Sequence, residues 1–135
     1  MLNWNIQRGL EDEEIKDVLT TAIEGGIGYW ACLANDDEEW IKARTEYKEA
    51  HNESPCYCDT AYDVMFKNHK AVIFYDEQDD DKPLYLTKDK FRDGCRLFEE
   101  ARGKSIHQMF DDAEFDAEDA DCIIQFALFG EVIYG

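Results

Sequence analysis

Lys70-Ala71-Val72-Ile73-Phe74-Tyr75-Asp76-Glu77-Gln78-Asp79-Asp80-Asp81-Lys82-Pro83-Leu84-Tyr85-Leu86-Thr87 decides the fold class of this chain. An apolar run (70–75) and a second one (83–87) flank an acidic stretch that ends in Lys82-Pro83, the pattern of two antiparallel strands joined by a polar turn. Thr87 then offers a hydroxyl to cap a helix over 88–102, whose apolar face is Phe91, Cys95, Phe98 and Ala101 and whose stop is Gly103. Strand, turn, strand and helix in this order predict an antiparallel sheet carrying helices.

Working outward, residues 11–24 predict a helix. Ile15, Val18, Leu19, Ala22 and Ile23 form one stripe, and Glu11 to Glu14 place acids where the helix dipole favours them. Gly25-Gly26 is expected to end it in a left-handed turn. Ile27 to Ala34 reads as a buried strand. Residues 39–49 suit either a strand or a helix, with strand preferred, and 60–66 reads as a strand with Tyr62, Val64 and Phe66 on one face. A short helical piece is expected over 106–110. Asp116 caps a final helix over 117–129, with Ala120, Ile123, Ile124, Ala127 and Leu128 as its stripe and Gly130 as its stop. Glu131 to Tyr134 adds an edge strand. The sum is one α+β domain over 1–135: an antiparallel sheet with about three helices packed on one face.

Charge bounds function. Thirty-two acidic against fourteen basic residues give a net charge of −18. Such a chain repels nucleic acid and anionic membrane and attracts basic protein surfaces. Its apolar share of 44% supports a core and argues against disorder. Met1 to Arg8 lacks the apolar run of a signal peptide, and nothing later reaches the roughly 18 apolar residues of a membrane span. A cytoplasmic protein is expected. Five cysteines, an odd number without framework spacing, are expected to be reduced.

The acids are unevenly placed. Residues 82–104 carry seven basic and four acidic side chains, whereas 105–135 carry eight acidic and none basic. Asp111, Asp112, Glu114, Asp116, Glu118, Asp119 and Asp121 put seven carboxylates in eleven residues. Extended, that block would span about 36 Å at roughly 3.3 Å per residue. Its charge density is then comparable to the one phosphate per roughly 3.4 Å of a DNA strand. Two readings stand side by side: a nucleic-acid mimic that fills a basic groove, or acids that cap and decorate a helix N-terminus. The run containing Asp79, Asp80 and Asp81 lacks the glycine and distal glutamate of a calcium loop, and reads as a solvated hairpin tip that can extend the same negative face.

Other constellations are weaker. Cys56-Tyr57-Cys58 lacks a second ligand pair, so buried unpaired thiols are expected and no metal site or cofactor is assigned. Gly25-Gly26-Ile27-Gly28 follows a helix instead of preceding one, the wrong order for a phosphate loop. His51, His69 and His107 are scattered, and no catalytic signature accompanies them, so a non-enzymatic protein is expected. Tyr29, Trp30 and Tyr134, with Arg92 and Arg96, could line a pocket for a nucleotide signal; core packing is the plainer account of the aromatics.

Two segments carry a resemblance: Glu24-Gly25-Gly26-Ile27-Gly28-Tyr29-Trp30, and Ala127-Leu128-Phe129-Gly130-Glu131-Val132-Ile133-Tyr134-Gly135. With Leu84-Tyr85-Leu86-Thr87 between them, the chain resembles small uncharacterised accessory proteins of bacteriophages and prophages. The resemblance implies a phage accessory protein acting inside a bacterial cell, where inhibitors of host defence such as anti-CRISPR proteins are common. Composition and resemblance together lead to the expectation of a non-enzymatic inhibitor whose acidic surface binds a basic, nucleic-acid-handling groove of a host protein, with no direct contact to nucleic acid or membrane. A nucleotide-sequestering protein and a phage structural or assembly protein are the alternatives.

Overall fold

The computed structural model describes residues 10–135; the reading of Met1 to Arg8 lies outside them. A three-stranded antiparallel sheet, β1 (Ala31–Leu33), β2 (Val72–Asp76) and β3 (Lys82–Leu86), runs in the order β1-β2-β3. Among the described residues six α-helices accompany it: α1 (Asp12–Thr21), α2 (Glu38–His51), α3 (Tyr57–Tyr62), α4 (Lys88–Arg102), α5 (Ile106–Asp111) and α6 (Ala117–Phe129). The chain is α+β, as the sequence predicts, with two helices, α2 and α3, beyond the segments read as helical. None of the described helices is long and apolar enough to cross a membrane.

The hairpin forms as its sequence predicts. Val72 pairs with Leu86, Phe74 with Leu84 and Asp76 with Lys82. Val72, Phe74, Leu84 and Leu86 are buried and belong to the same core as the helices, while Tyr75 and Tyr85 point to the other, open face. Alternation of period two thus separates a covered face from an uncovered one. The outer strand β3 is protected from further pairing: Pro83 has no N–H, and the Tyr85 carbonyl accepts from Lys90 Nζ at 3.1 Å.

The helices 88–102, 106–110 and 117–129 also appear where the sequence puts them. Thr87 Oγ1 accepts from Lys90 N at 3.2 Å, and Gly103 and Gly130 take left-handed φ values of 71° and 77°. Ala101 is exposed, and Gly94 lies on the buried face of α4 instead.

Five expectations are corrected. Residues 39–49 form α2, because Asp37 Oδ2 accepts from Glu39 N (3.1 Å) and Trp40 N (3.3 Å), and Trp40 and Ala43, three apart, bury on one side. Residues 60–66 are helical: Thr60, Ala61, Val64 and Met65 are the buried set, a helical spacing, and Tyr62 stacks on Phe66 one turn on at 5.0 Å. Gly25-Gly26 does not stop α1 in a left-handed turn. The helix widens into a π turn over Ala22–Gly26, closed by Ile27 N donating to Ala22 O at 3.0 Å. Gly26 is required for proximity, since a Cβ there would sit 2.8 Å from the Ala117 carbonyl oxygen. The first strand is confined to three residues, and 131–134 forms no strand at all; a side chain holds that segment, as described below.

Helices α4 and α6 pack in close contact. Gly94 is the reason: a Cβ at this position would lie 2.7 Å from Ala127 Cβ, Ala127 N and Ile123 O. Gly94→Ala is expected to push the two helices apart and cost about 1–3 kcal/mol, measured as a lower midpoint in urea unfolding.

Candidate functional site

The acidic block does not extend as a rod. Asp111 ends α5, Ala113 turns the chain at φ 58°, and Asp116 begins α6 as its cap, accepting from Asp119 N at 3.0 Å. Lys104 Nζ clamps Asp112 Oδ2 at 2.7 Å and Glu114 Oε1 at 2.6 Å. Asp119 is buried and pairs with Arg102, while its other oxygen accepts from Asp116 N at 3.0 Å. Burial raises its carboxyl above the usual range against the opposing pull of the Asp116 N–H and Arg102. Asp111 lies 3.5 Å from His107 Nε2. Glu118 is exposed. Asp112, Glu114 and Asp119 are therefore partnered by basic groups of the same chain, and Asp121 is buried; these four are withdrawn from a free negative face.

Asp121 has a structural task. It is 6% exposed, and its two oxygens accept from Tyr29 Oη (2.5 Å), Trp30 Nε1 (2.8 Å) and Gln125 Nε2 (2.9 Å). A buried carboxylate is tolerated because three donors replace its water. The fully buried Gln125 extends the network. Its Oε1 accepts from Ile133 N (2.8 Å) and Tyr134 N (2.9 Å), and its Nε2 also donates to Tyr134 O at 3.2 Å. Tyr134 Oη in turn donates to the buried Asp76 at 2.8 Å. The segments around Tyr29-Trp30 and at 125–134, distant in sequence, thus meet at one end of the sheet. Trp30 and Tyr134 rings lie 5.3 Å apart.

Of the aromatics expected to line a pocket, Trp30 is fully buried and Tyr134 packs half-buried against it, while Tyr29 stays half exposed. Arg92 and Arg96 do not join them. Arg92 sits over the Phe66 ring at 5.5 Å, and Arg96 pairs with Asp93 (3.9 Å) and Glu100 (3.0 Å).

Of the two acidic runs singled out in the sequence, the hairpin tip is the one that remains open. Asp76 Oδ1 accepts from Gln78 N (3.0 Å), Gln78 Nε2 donates to Tyr29 O (3.2 Å), and Glu77 N donates to Trp30 O (2.8 Å). Asp80 and Asp81 both adopt left-handed backbone, φ 54° and 55°, which aspartate tolerates better than most residues. Glu77, Asp79, Asp80 and Asp81 are all exposed, and none makes an ion pair among the described residues. Tyr29, 51% exposed, flanks them.

All five cysteines are free, and only Cys95 is buried. Cys56 is exposed and Cys58 half-buried, so neither is the core thiol expected. Together with Asp59 they bring two sulfurs and a carboxylate oxygen within 4.8 Å of one another. The N-terminal turn of α3, with Cys56 as its cap, gathers these groups.

No family model, curated protein sequence or solved structure matches the chain.

Two predictions follow the buried network. Gln125→Leu leaves the Ile133 and Tyr134 amides without an acceptor and Asp121 one donor short; a loss of about 1–3 kcal/mol is expected, with faster hydrogen exchange at those two amides. Partial burial and the Asp121 carboxylate push Tyr29 up to about 12, and the hydrogen bond to Asp76 with burial does the same for Tyr134. A raised phenol pKa means the fold favours the neutral form. Its contribution is complete below pH 10.0 and is lost as pH rises through about 12. Ultraviolet titration should find Tyr29 and Tyr134 among the late-ionising tyrosines, a set that also includes Tyr47 and Tyr62, together with alkaline unfolding.

Proposed function

We propose that this protein is a non-enzymatic, phage-type inhibitor of a host defence system, which binds a basic, nucleic-acid-handling groove through the acidic hairpin tip. The observation that carries this reading is the set of four exposed carboxylates, Glu77, Asp79, Asp80 and Asp81, without ion-pair partners among the described residues and fixed in place by the Asp76–Tyr134 and Gln78–Tyr29 hydrogen bonds. Charges already held in position lose little entropy on docking. The net charge of −18 adds long-range attraction to a cationic partner and repels competing nucleic acid. Tyr29 supplies a large, amphipathic contact at the rim of the tip, the kind of side chain that dominates binding energy.

Asp111 to Asp121 contributes less to docking than its density in sequence implies. Asp111, Asp116 and Glu118 remain on the surface there, while the other four carboxylates serve the fold. The mimicry therefore moves from a linear block to a compact tip.

The test begins with capture of partners from bacterial lysate on the immobilised protein at low salt, followed by binding kinetics with the captured protein. The triple variant Asp79→Asn, Asp80→Asn, Asp81→Asn keeps the side-chain shape and the left-handed backbone. It is expected to lower the association rate by about tenfold or more, and the wild-type rate should fall steeply as salt rises. Asp112→Asn with Glu114→Gln should leave the rate nearly unchanged. An unaltered rate in the triple variant, or a partner whose DNA or RNA binding the protein does not compete, overturns the reading.

A further inference from the structure

We infer that Cys56, Cys58 and Asp59 form a binding site for one thiophilic divalent cation, with zinc(II) as its representative. The site rests on different residues from the docking tip, and either can fail without the other.

Three observations carry it. The first is donor geometry. Cys56 Sγ lies 3.3 Å from Asp59 Oδ2, and all three ligand atoms fall within 4.8 Å. A tetrahedral ion with Zn–S of about 2.3 Å and Zn–O of about 2.0 Å needs an S···O edge of about 3.5 Å and an S···S edge of about 3.8 Å. The Cys56–Asp59 edge is in place, and the other two edges are no longer than 4.8 Å, with Cys56 exposed at one corner. The same exposure leaves the fourth corner to water.

The second is the support behind the carboxylate. Asp59 Oδ1 is held by Lys16 Nζ at 3.2 Å, which leaves Oδ2 facing the thiols. Lys16 belongs to α1 and Asp59 to α3, so a packed pair of helices fixes the ligand's orientation from outside the site.

The third is charge. A divalent ion with two thiolates and one carboxylate carries −1, and Lys16 brings the assembly to neutrality. That matters in a chain with a net charge of −18, where an uncompensated anionic centre would add to self-repulsion. In binding, the ion replaces the proton shared between Cys56 Sγ and Asp59 Oδ2. Two thiol protons pass to solvent and no electron is transferred.

The experiment is an anaerobic titration of the reduced full chain with cobalt(II), followed by zinc(II). One equivalent of cobalt should give tetrahedral ligand-field bands and a sulfur-to-metal charge-transfer band, and zinc should bleach both. Cys56→Ser with Cys58→Ser should abolish the spectrum; serine is itself a good N-cap at position 56, so α3 should persist by circular dichroism. Lys16→Met retains all three ligands and is expected to weaken affinity by about 10–100-fold. Absence of a tetrahedral spectrum from the wild-type protein overturns the site. So does a spectrum that survives in the double serine variant, because Cys32, Cys95 and Cys122 would then be its source.

Discussion

A single buried carboxylate organises this molecule. Asp121 sits inside α6, and three donors from two sequence regions converge on it: Tyr29 and Trp30 from the turn before β1, and Gln125 from the next turn of its own helix. An anion in that position would be costly without all three. The arrangement therefore specifies where the 27–30 turn must lie relative to α6. Gln125 then passes the constraint on, fixing Ile133 and Tyr134, and Tyr134 reaches across to Asp76 at the start of the hairpin tip. Helix, turn, C-terminal segment and sheet are joined by side chains that apolar packing alone would leave interchangeable.

The same economy explains how so acidic a chain stays folded. Part of the charge is spent inside the structure: Asp37, Asp116 and Asp119 serve helix N-termini, Asp112 and Glu114 share Lys104, and Asp59 holds Lys16. Each of these carboxylates meets a backbone N–H or a cation within hydrogen-bond distance. What is left over is concentrated where the backbone presents it, at the β2–β3 tip, and spread across helix surfaces where water screens it. Charge density along a sequence and charge density on a surface are therefore different quantities in this protein. The 111–121 block is dense in one and thinned in the other.

That difference also marks how far the sequence could be read. The hairpin, α4 and α6 were legible because their signals agree: alternation or helical stripe, a capping hydroxyl or carboxylate, and a glycine at the left-handed stop. Residues 60–66 were misread because Tyr62 and Phe66, four apart, satisfy period two as well as period 3.6, and residues 39–49 because Ile41, Ala43, Thr45 and Tyr47 alternate with charged neighbours. The deciding facts there were the Asp37 cap and the burial of Trp40 with Ala43, and of Ala61 with Val64 and Met65. Gly26 was read as conformational punctuation, whereas its role depends on Ala117, a residue ninety-one positions away. The site residues divide in the same way. Tyr29, Trp30 and Tyr134 lie together, without Arg92 and Arg96, but the partners that join them, Asp121, Gln125 and Asp76, are long-range polar contacts that no local pattern announces.

The blunted rim of the sheet sets the manner in which this protein can be recognised. With a proline at position 83 and the Tyr85 carbonyl occupied by a lysine, β3 gives an incoming backbone few groups to pair with. Strand donation, a common route by which unrelated chains latch onto a sheet, is disfavoured along this border. Anything that docks there must read chemistry and shape at the tips of side chains. Copies of the protein, for the same reason, gain nothing by lining up rim to rim into a ribbon.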